Sequence, residues 1–264
     1  MRERPNRKEA NMQLTGPAIE KRMHQTVFQH LLNKAPDIVI EPYFPECLGS
    51  NSYDLHLDKV LSVYKCTLPK GMKPVIFCEE KTAVPGEYSM RDWFYDAHAY
   101  EDYCLRPENY DIRNPKYMLN PFDKKSHETI DITIPETGAI LNPNLGYLGS
   151  TFEYTETRNI FPYIDGKSTI GRNFILNHHT AGRGDDGFCG QWTLEIRVLC
   201  PTLVMPYMRI GQIYYEQFRG RRKPYNRNPH SHYNNQAGPT PAAPLKMDQC
   251  LLDYVAQKNK ELTI

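Results

Sequence analysis

A glutamate in the middle of an alternating segment is well placed for acid–base chemistry. In the segment 191–200, apolar side chains occupy every second position, which predicts a β-strand with one face in the core. The predicted core positions are Trp192, Leu194, Ile196, Val198 and Cys200. Glu195 falls on the opposite face, so a rigid strand would hold its carboxylate away from the core. A carboxylate fixed in this way can take a proton from water and pass it on.

A turn rich in glycine, hydroxyl groups and positive charge is the first candidate anion site. The segment 165–169 reads DGKST, but a phosphate-binding P-loop would require glycine at position 161, where this chain has Phe161. The pattern also predicts no strand-to-helix junction here, and we therefore reject a P-loop. Together with Arg172, the lysine and hydroxyl groups of the turn could still cradle a phosphate. A polar turn that carries only surface charges is the alternative.

Two further motifs have metal-binding residue types without metal-binding spacing. His178 and His179 are adjacent, and neighbours on a strand point to opposite faces, so the pair would not chelate one ion. We interpret this pair as hydrogen-bonding. The segment 185–190, DDGFCG, contains two carboxylates but lacks the spacing of a calcium-binding loop, and we interpret it as a hairpin turn.

Basic residues concentrate near the C-terminus. The run is Arg219, Arg221, Arg222, Lys223 and Arg227, interleaved with Phe218 and Tyr225. Such a run is compatible with nucleic-acid binding, with a small phosphorylated ligand or with a solvated loop. Salt-dependent binding to oligonucleotides would distinguish the first possibility.

The bulk properties argue against several classes of protein. The chain has 264 residues, a net charge of +1 and a pI of about 7.6, so no overall field directs it to nucleic acid or membranes. The seven cysteines are odd in number and form no C-x-x-C, which favours free thiols over disulfides or a zinc knuckle. Residues 1–12 lack the apolar core of a signal peptide, and no apolar run approaches the roughly 20 residues of a membrane span. We therefore expect a soluble cytoplasmic protein that binds neither nucleic acid nor membrane.

Short strands separated by turns must position these residues. The helical spacing of apolar side chains predicts a helix over 18–32, and the region 66–130, rich in aromatic and acidic residues, reads as an insertion packed on the main domain. Strand patterns lie at 37–42, within 51–64, and at 130–134, 147–154, 161–164, 191–200 and 209–216. A C-terminal arm (219–240) precedes a C-terminal extension (241–264) that forms a helix or a tail. Many short strands with frequent turns favour a mainly β sandwich, jelly roll or barrel.

Taken in order, the motifs resemble the dCTP deaminase family. They are SYDLHL (52–57), TFEY (151–154), DGKSTIGR (165–172), HHTA (178–181), DDGFCG (185–190), TLE (193–195), MRIGQ (208–212), PYN (224–226) and HYNNQAGP (232–239). The resemblance implies a dUTPase-like distorted jelly roll or β-clip barrel with a short N-terminal helix and an inserted segment. It places a flexible tail at 1–16, the family domain at 17–240 with the insertion at about 66–130, and an extension at 241–264.

The resemblance also implies a metal-independent hydrolysis of dCTP to dUTP and ammonia, which supplies dUTP and dUMP for thymidylate synthesis. Glu195 would shuttle the proton, while Ser168, Arg172 and the backbone near Ala181 would place the water. The nucleotide would bind to Lys167, Ser168, Thr169, Arg172, Asp185, Thr193, Leu194, Glu195, Gln212, Tyr225, His232 and Gln236. Magnesium would arrive on the triphosphate, no zinc is expected, and a homotrimer would build each site between subunits with the C-terminal arm closing over it.

Four positions bear on which member of the family this chain resembles. Lys167 replaces the family arginine and loses its bidentate fork, and His232 replaces the lysine of the arm. Gly182 and Gln212 are similar to bifunctional relatives that form dUMP and pyrophosphate, whereas Arg183 stands where those relatives would have an aromatic residue. The simple dUTP-forming deaminase is our main expectation, the bifunctional enzyme the first alternative and a non-catalytic nucleotide-binding regulator the second. The resemblance leaves open whether dTTP inhibits this protein.

Overall fold

Short strands dominate the computed structural model, which describes residues 13–32, 34–78, 89–105, 118–217 and 220–262. The strands are β1 (Ile38–Glu41), β2 (Tyr53–His56), β3 (Val60–Tyr64), β4 (Val75–Phe77), β5 (Thr129–Thr133), β6 (Ala139–Leu141), β7 (Tyr147–Ser150), β8 (Tyr154–Thr157), β9 (Phe161–Gly166), β10 (Ile175–Leu176), β11 (Cys189–Gly190), β12 (Thr193–Val198), β13 (Thr202–Val204) and β14 (Arg209–Glu216). The helices are α1 (Gly16–Met23), α2 (Val27–Leu31), α3 (Ala97–Leu105), α4 (Ser168–Arg172) and α5 (Gln249–Leu262). The predicted mainly β class is confirmed.

The strands form four antiparallel sheets. Three sheets have three strands each, in the orders β1-β8-β11, β13-β6-β4 and β2-β14-β9. The largest sheet has the order β10-β12-β7-β3-β5. Strand β12 therefore has neighbours on both sides, and Glu195 pairs directly with Leu148 of β7. This inner position makes β12 a rigid support for the Glu195 side chain.

The alternation is confirmed for the three predicted core side chains within β12 and for Trp192, which directly precedes the strand. Leu194 and Val198 have no exposed surface, and Trp192 and Ile196 are also buried. Complete burial of a leucine or isoleucine side chain contributes roughly 1.5–3 kcal/mol, so a one-residue slip of register would be costly. Cys200 was predicted for the same face but is exposed, because the strand ends at Val198 and the chain turns.

The predicted helix over 18–32 is two helices. His24 is extended, with φ −95° and ψ 140°, and ends α1. Thr26 then begins α2, because its hydroxyl accepts from the N–H of Gln29 at 3.1 Å and its own N–H donates to the Gln29 side chain at 2.8 Å. This reciprocal capping box starts a new helix although the apolar spacing continues through it.

The strand predicted over 147–154 is also two strands, β7 and β8, which lie in different sheets. Thr151 forms the corner: its N–H donates to the carbonyl of Trp192 at 2.9 Å, and its hydroxyl donates to the carbonyl of Glu153 at 2.9 Å. The chain within 51–64 likewise divides into β2 and β3. The sequence alternation locates the strands but does not show the corners between them.

The terminal and inserted segments are attached to this body. Leu14 is buried and its N–H donates to the carbonyl of Tyr215 at 2.9 Å, while residues 1–12 of the predicted tail lie outside the described part. In the region predicted as an insertion, Trp93 and Phe94 form a small buried cluster with Ile140 of β6, so these residues pack on the rest of the described fold. The C-terminal extension contains a helix, α5. No helix in the described ranges combines the length and apolar character needed to cross a membrane.

Candidate active site

A cavity of about 400 Å³ lies where β12, the loop after β10 and the C-terminal arm meet. Six of the residues predicted from sequence line it: Ala181, Asp185, Thr193, Glu195, Tyr225 and Gln236. These residues come from separate parts of the chain between positions 181 and 236. The fold thus brings together the predicted proton shuttle, Ala181 and four further predicted nucleotide ligands.

Two groups from one loop fix the Glu195 carboxylate. His178 Nδ1 lies 2.6 Å from Glu195 Oε2, and the backbone N–H of His179 donates to the same oxygen at 3.2 Å. The His178 side chain is 8% exposed and that of Glu195 is 38% exposed. The other oxygen, Oε1, accepts no hydrogen bond from the described part of the chain. One oxygen is therefore anchored and the other is available to a ligand.

The surroundings of Glu195 favour its ionised form. Burial raises the pKa of the carboxyl, but the hydrogen bond and charge of His178, together with the N–H of His179, outweigh burial. The pKa of Glu195 consequently lies below its ordinary value. A carboxylate that is ionised at neutral pH can accept a proton from water.

The histidine pair forms hydrogen bonds, as predicted, but the reason given from sequence was wrong. His178 and His179 lie in the loop that follows β10, not on a strand. Their two contacts converge on one carboxylate, one through a ring and one through the backbone. Within the described residues, no group of three or more His, Cys, Asp or Glu side chains is placed to hold a metal ion.

The C-terminal arm is held to the strand segment before β12 by reciprocal hydrogen bonds. Gln191 N–H donates to the carbonyl of Gln236 at 3.0 Å, and the Gln236 amide donates back to the Gln191 carbonyl at 2.8 Å. Gly238 N–H donates to the Gln191 side chain at 2.7 Å, and Thr240 N–H donates to the Thr193 hydroxyl at 3.2 Å. The arm therefore covers the cavity as an added strand-like segment of the same chain.

Aromatic side chains form one wall of the cavity. The rings of Phe188 and Trp192 are 4.6 Å apart, and Tyr225 lies 6.2 Å from Phe188. The Tyr225 hydroxyl accepts from the N–H of Tyr233, another lining residue, at 3.1 Å. Such a wall suits a flat heterocycle.

The acidic motif 185–190 is a turn, as predicted. The N–H of Phe188 donates to the carbonyl of Asp185 at 3.1 Å. Asp186 is buried, accepts from the N–H of Asn159 at 2.6 Å and pairs with Arg222 at 3.1 Å. Asp186 thus stabilises the turn, while the exposed Asp185 faces the cavity.

Three side chains clamp the turn that precedes α4. Asn177 donates to the carbonyl of Asp165 at 3.2 Å, and Gln212 donates to the carbonyl of Gly166 at 3.1 Å. The ammonium group of Lys167 is bound to the carboxylate of Asp54. Lys167 and Gln212 were predicted to contact the nucleotide, and that assignment stays a prediction; within the chain, their contacts with Asp54 and with the Gly166 carbonyl position α4.

Helix α4 carries the remaining predicted catalytic groups. Ser168, Thr169 and Arg172 are exposed and do not line the cavity of their own chain. The segment is nevertheless a strand-to-helix junction, β9 followed by α4, so this part of the argument against a P-loop was wrong. The missing glycine at Phe161 still separates the motif from a P-loop.

Two other predicted ligands lie outside the cavity surface. The Leu194 side chain is fully buried in the core, so only its backbone can face a ligand. His232 is exposed and packs its ring against Tyr233 at 6.1 Å without lining the cavity. The lining residues that sequence reasoning did not select include His178, Arg183 and Tyr233. The HHTA motif contains a signal for His178, but its partner is known only once the loop is folded.

A second cavity of about 550 Å³ also reaches Glu195. It shares Tyr64, Leu148 and Glu195 with the first cavity. Leu119 of the insertion and Arg197 of β12 belong to the second cavity alone. The carboxylate is therefore accessible from two cavities, and only the first of them is covered by the arm.

Comparisons with known proteins show which family the sequence resembles. A family model described as dCTP deaminase-like matches residues 101–218, which begin inside the predicted insertion. The chain is 41% identical over 138 residues to a protein named "dCTP deaminase, dUMP-forming" from Cytophaga hutchinsonii, covering 50% of this chain and 80% of that one. It is 32% identical over 210 residues to a protein of the same name from Clostridium botulinum, covering 80% and 90% of the two chains.

A solved structure is also similar. It is the 2'-deoxycytidine 5'-triphosphate deaminase from Agrobacterium tumefaciens, with a TM-score of 0.42 and 15% sequence identity. The match covers 79% of this chain and 49% of that one.

Proposed function

This chain belongs to the dCTP deaminase-like family, and we propose that it converts dCTP to dUMP with release of ammonia and pyrophosphate. Both relatives named above are dUMP-forming, which favours the bifunctional reaction over the dUTP-forming reaction preferred from sequence. The observation that carries the proposal is Glu195, ionised and anchored by His178 and His179 at the surface of a covered cavity.

The deamination step follows from this geometry. Glu195 Oε2 is anchored, so Oε1 takes the proton from a water that adds to C4 of the cytosine ring. The carboxyl then delivers this proton to the ring nitrogen N3. Glu195 next carries the proton of the new C4 hydroxyl to the amino group. The bond between C4 and this group breaks, ammonia leaves, and a carbonyl remains at C4.

The second step is hydrolysis of the triphosphate. A second water attacks the α-phosphorus, the bond to the bridging oxygen breaks, and pyrophosphate leaves. The overall balance is dCTP plus two waters giving dUMP, ammonia and pyrophosphate. The substrate is written as the magnesium complex of dCTP, because the metal enters on the triphosphate.

Residues of the same chain would hold the sugar and base. Asp185 faces the cavity with a carboxylate that can accept from a sugar hydroxyl, and Thr193 lies beside the strand backbone at Glu195. Tyr225 and Gln236 contribute from the arm. The aromatic wall would pack against the cytosine ring.

A second copy of the chain would complete the site. Ser168, Thr169 and Arg172 are exposed on α4, where they are accessible to a neighbouring copy and not to their own cavity. The resemblance implies a homotrimer with sites between subunits, and the second cavity at Glu195 offers a surface for the approaching helix. Arg172 and Ser168 of that copy would stabilise charge that develops on the attacked ring.

Product analysis tests the proposal. The wild-type protein and Glu195→Gln are incubated with dCTP and magnesium, nucleotides are separated by ion exchange, and ammonia and pyrophosphate are assayed. We expect equimolar ammonia, pyrophosphate and dUMP from the wild type, and a loss of at least about 100-fold in Glu195→Gln, the usual scale for a general base. Glu136→Gln, which removes an exposed carboxylate in a turn, is the matched control and should remain active.

The outcomes separate the candidate functions. Formation of ammonia and dUTP without pyrophosphate would support the monofunctional, dUTP-forming reaction instead. Binding of dCTP without any product would indicate the nucleotide-binding regulator. Full turnover in Glu195→Gln would refute the assignment of the proton shuttle.

A further inference from the structure

Positive charge is scarce around the cavity. Among the described residues that line it, Arg183 contributes the only ammonium or guanidinium group, whereas Asp185 and Glu195 contribute carboxylates. A nucleoside triphosphate brings roughly four further negative charges near neutral pH. Besides the magnesium carried by the triphosphate, the cation that the described cavity surface of this chain offers to these charges is Arg183.

The basic residues expected from the family motif do not fill this role in the same chain. The ammonium group of Lys167 is bound to Oδ2 of Asp54. The same oxygen lies 3.4 Å from the guanidinium of Arg209. Asp54 is only 14% exposed on its side chain, so this contact is partly protected from solvent. His232 lies outside the cavity lining.

The backbone fixes Arg183 on the edge of β9. Ile164 N–H donates to the carbonyl of Gly182 at 2.7 Å, and Gly184 N–H donates to the carbonyl of Pro162 at 2.9 Å. A β-carbon at Gly182 would lie 2.2 Å from the Ile164 carbonyl oxygen, so the close approach requires glycine there. The segment is thereby held against the strand on both sides of Arg183.

The side chain of Arg183 is exposed but supported. Its guanidinium carbon lies 5.5 Å from the centre of the Phe161 ring, a cation–π contact that limits the positions of the group. The planar guanidinium keeps its N–H groups available, and these match a phosphate better than a lysine ammonium does. Charge, support and position at the cavity thus coincide in one residue.

We propose that Arg183 is a phosphate-binding residue that makes the cavity prefer a 5'-phosphorylated deoxycytidine over the nucleoside. This rests on the proposed function and goes beyond it by naming the group that recognises the phosphates. Because Arg183 contacts the phosphates rather than the ring, its removal lowers affinity for the nucleotide and leaves recognition of the base intact. The role is binding and does not include transfer of the proton.

Titration with dCTP and with deoxycytidine, followed by rapid-mixing protein fluorescence before turnover, tests the proposal in the wild type, Arg183→Gln, Arg183→Lys and Arg227→Gln. Arg227 is exposed on the arm and does not line the cavity, so Arg227→Gln is the matched loss of one charge. In Arg183→Gln we expect dCTP binding to weaken roughly 10- to 100-fold, as for a lost charge-assisted contact, with deoxycytidine binding unchanged within about twofold. Arg183→Lys should fall between the wild type and Arg183→Gln. Thermal unfolding of each variant confirms that it is folded.

The outcomes distinguish this inference from the proposed reaction. Equal dCTP affinity in Arg183→Gln and the wild type would overturn the inference, as would an equal loss for dCTP and deoxycytidine, which indicates a structural role. A wild type that does not prefer dCTP to deoxycytidine would overturn both proposals. If the protein forms no product but its dCTP affinity still depends on Arg183, the inference is supported and the proposed reaction is refuted.

Discussion

Replacement of His178 by phenylalanine should weaken catalysis through Glu195 without removing any proposed substrate contact. His178 Nδ1 lies 2.6 Å from the carboxylate, and phenylalanine fills a similar volume without a donor. A hydrogen bond to a charged group contributes about 1.5–3 kcal/mol. Glu195 is 38% exposed on its side chain. Solvent screening therefore reduces the effect to the order of 1.4 kcal/mol, which is about tenfold in kcat/KM.

The pH profile gives the more specific signature. In the wild type the pKa of Glu195 is low because the contribution of His178 and His179 outweighs burial. In His178→Phe the hydrogen bond and charge of His178 no longer lower the pKa of Glu195, so that pKa rises. Activity requires the ionised carboxylate and is lost as the pH falls through that pKa. The ratio of wild-type to variant activity should therefore grow as the pH is lowered from about 8 to about 5.

His178→Asn is the matched control, because its amide nitrogen can donate from a position close to that of Nδ1. We expect His178→Asn to retain most of the wild-type activity and a low-pH limb near that of the wild type. Steady-state kinetics of the three proteins across the pH range, with circular dichroism to verify folding, provide the measurement. Identical profiles for the phenylalanine and asparagine variants would refute the positioning role of His178.

Two further substitutions test the supports of the site. Gly182→Ala should lower the free energy of unfolding by more than about 2 kcal/mol, because the β-carbon of alanine would lie 2.2 Å from the Ile164 carbonyl oxygen. Urea denaturation measures this loss, and an unchanged midpoint would contradict the close contact. Gln212→Met removes the donor to the Gly166 carbonyl and should speed amide hydrogen exchange in α4 by roughly tenfold, as expected for a lost hydrogen bond of about 1.4 kcal/mol. Ser62→Ala, which removes a partly buried hydrogen bond in the β3–β5 pair, should leave exchange in α4 unchanged. Equal acceleration in both variants would mean that Gln212 stabilises the whole fold and not the turn.

The part of the site carried by one strand was predictable from sequence. Alternation along β12 depends on the two-residue period of a strand, and this period places Leu194 in the core and Glu195 on the opposite face. The same local argument locates β9 and β14. It fails for 147–154 because the corner at Thr151 is made by contacts with distant residues, which no local pattern contains.

Partners separated by long stretches of chain could not be assigned from sequence. Lys167 was assigned to phosphate because of its motif, which gives no sign that the fold also brings it to Asp54, 113 residues earlier. His178 and Glu195 are 17 residues apart on a loop and a strand, and only the packing of β10 against β12 brings them together. A motif identifies the type of residue, whereas the tertiary pairing determines which charges face a ligand.

Gly182 and Arg183 show how one short segment can serve packing and recognition together. Gly182 was associated with dUMP-forming relatives by resemblance alone. The structure supplies a physical reason for glycine, because the Ile164 carbonyl leaves no room for a side chain. That close approach fixes the backbone and directs the next side chain, Arg183, over Phe161 at the cavity. Gly182 therefore permits the close packing and also determines where the guanidinium of Arg183 reaches the cavity.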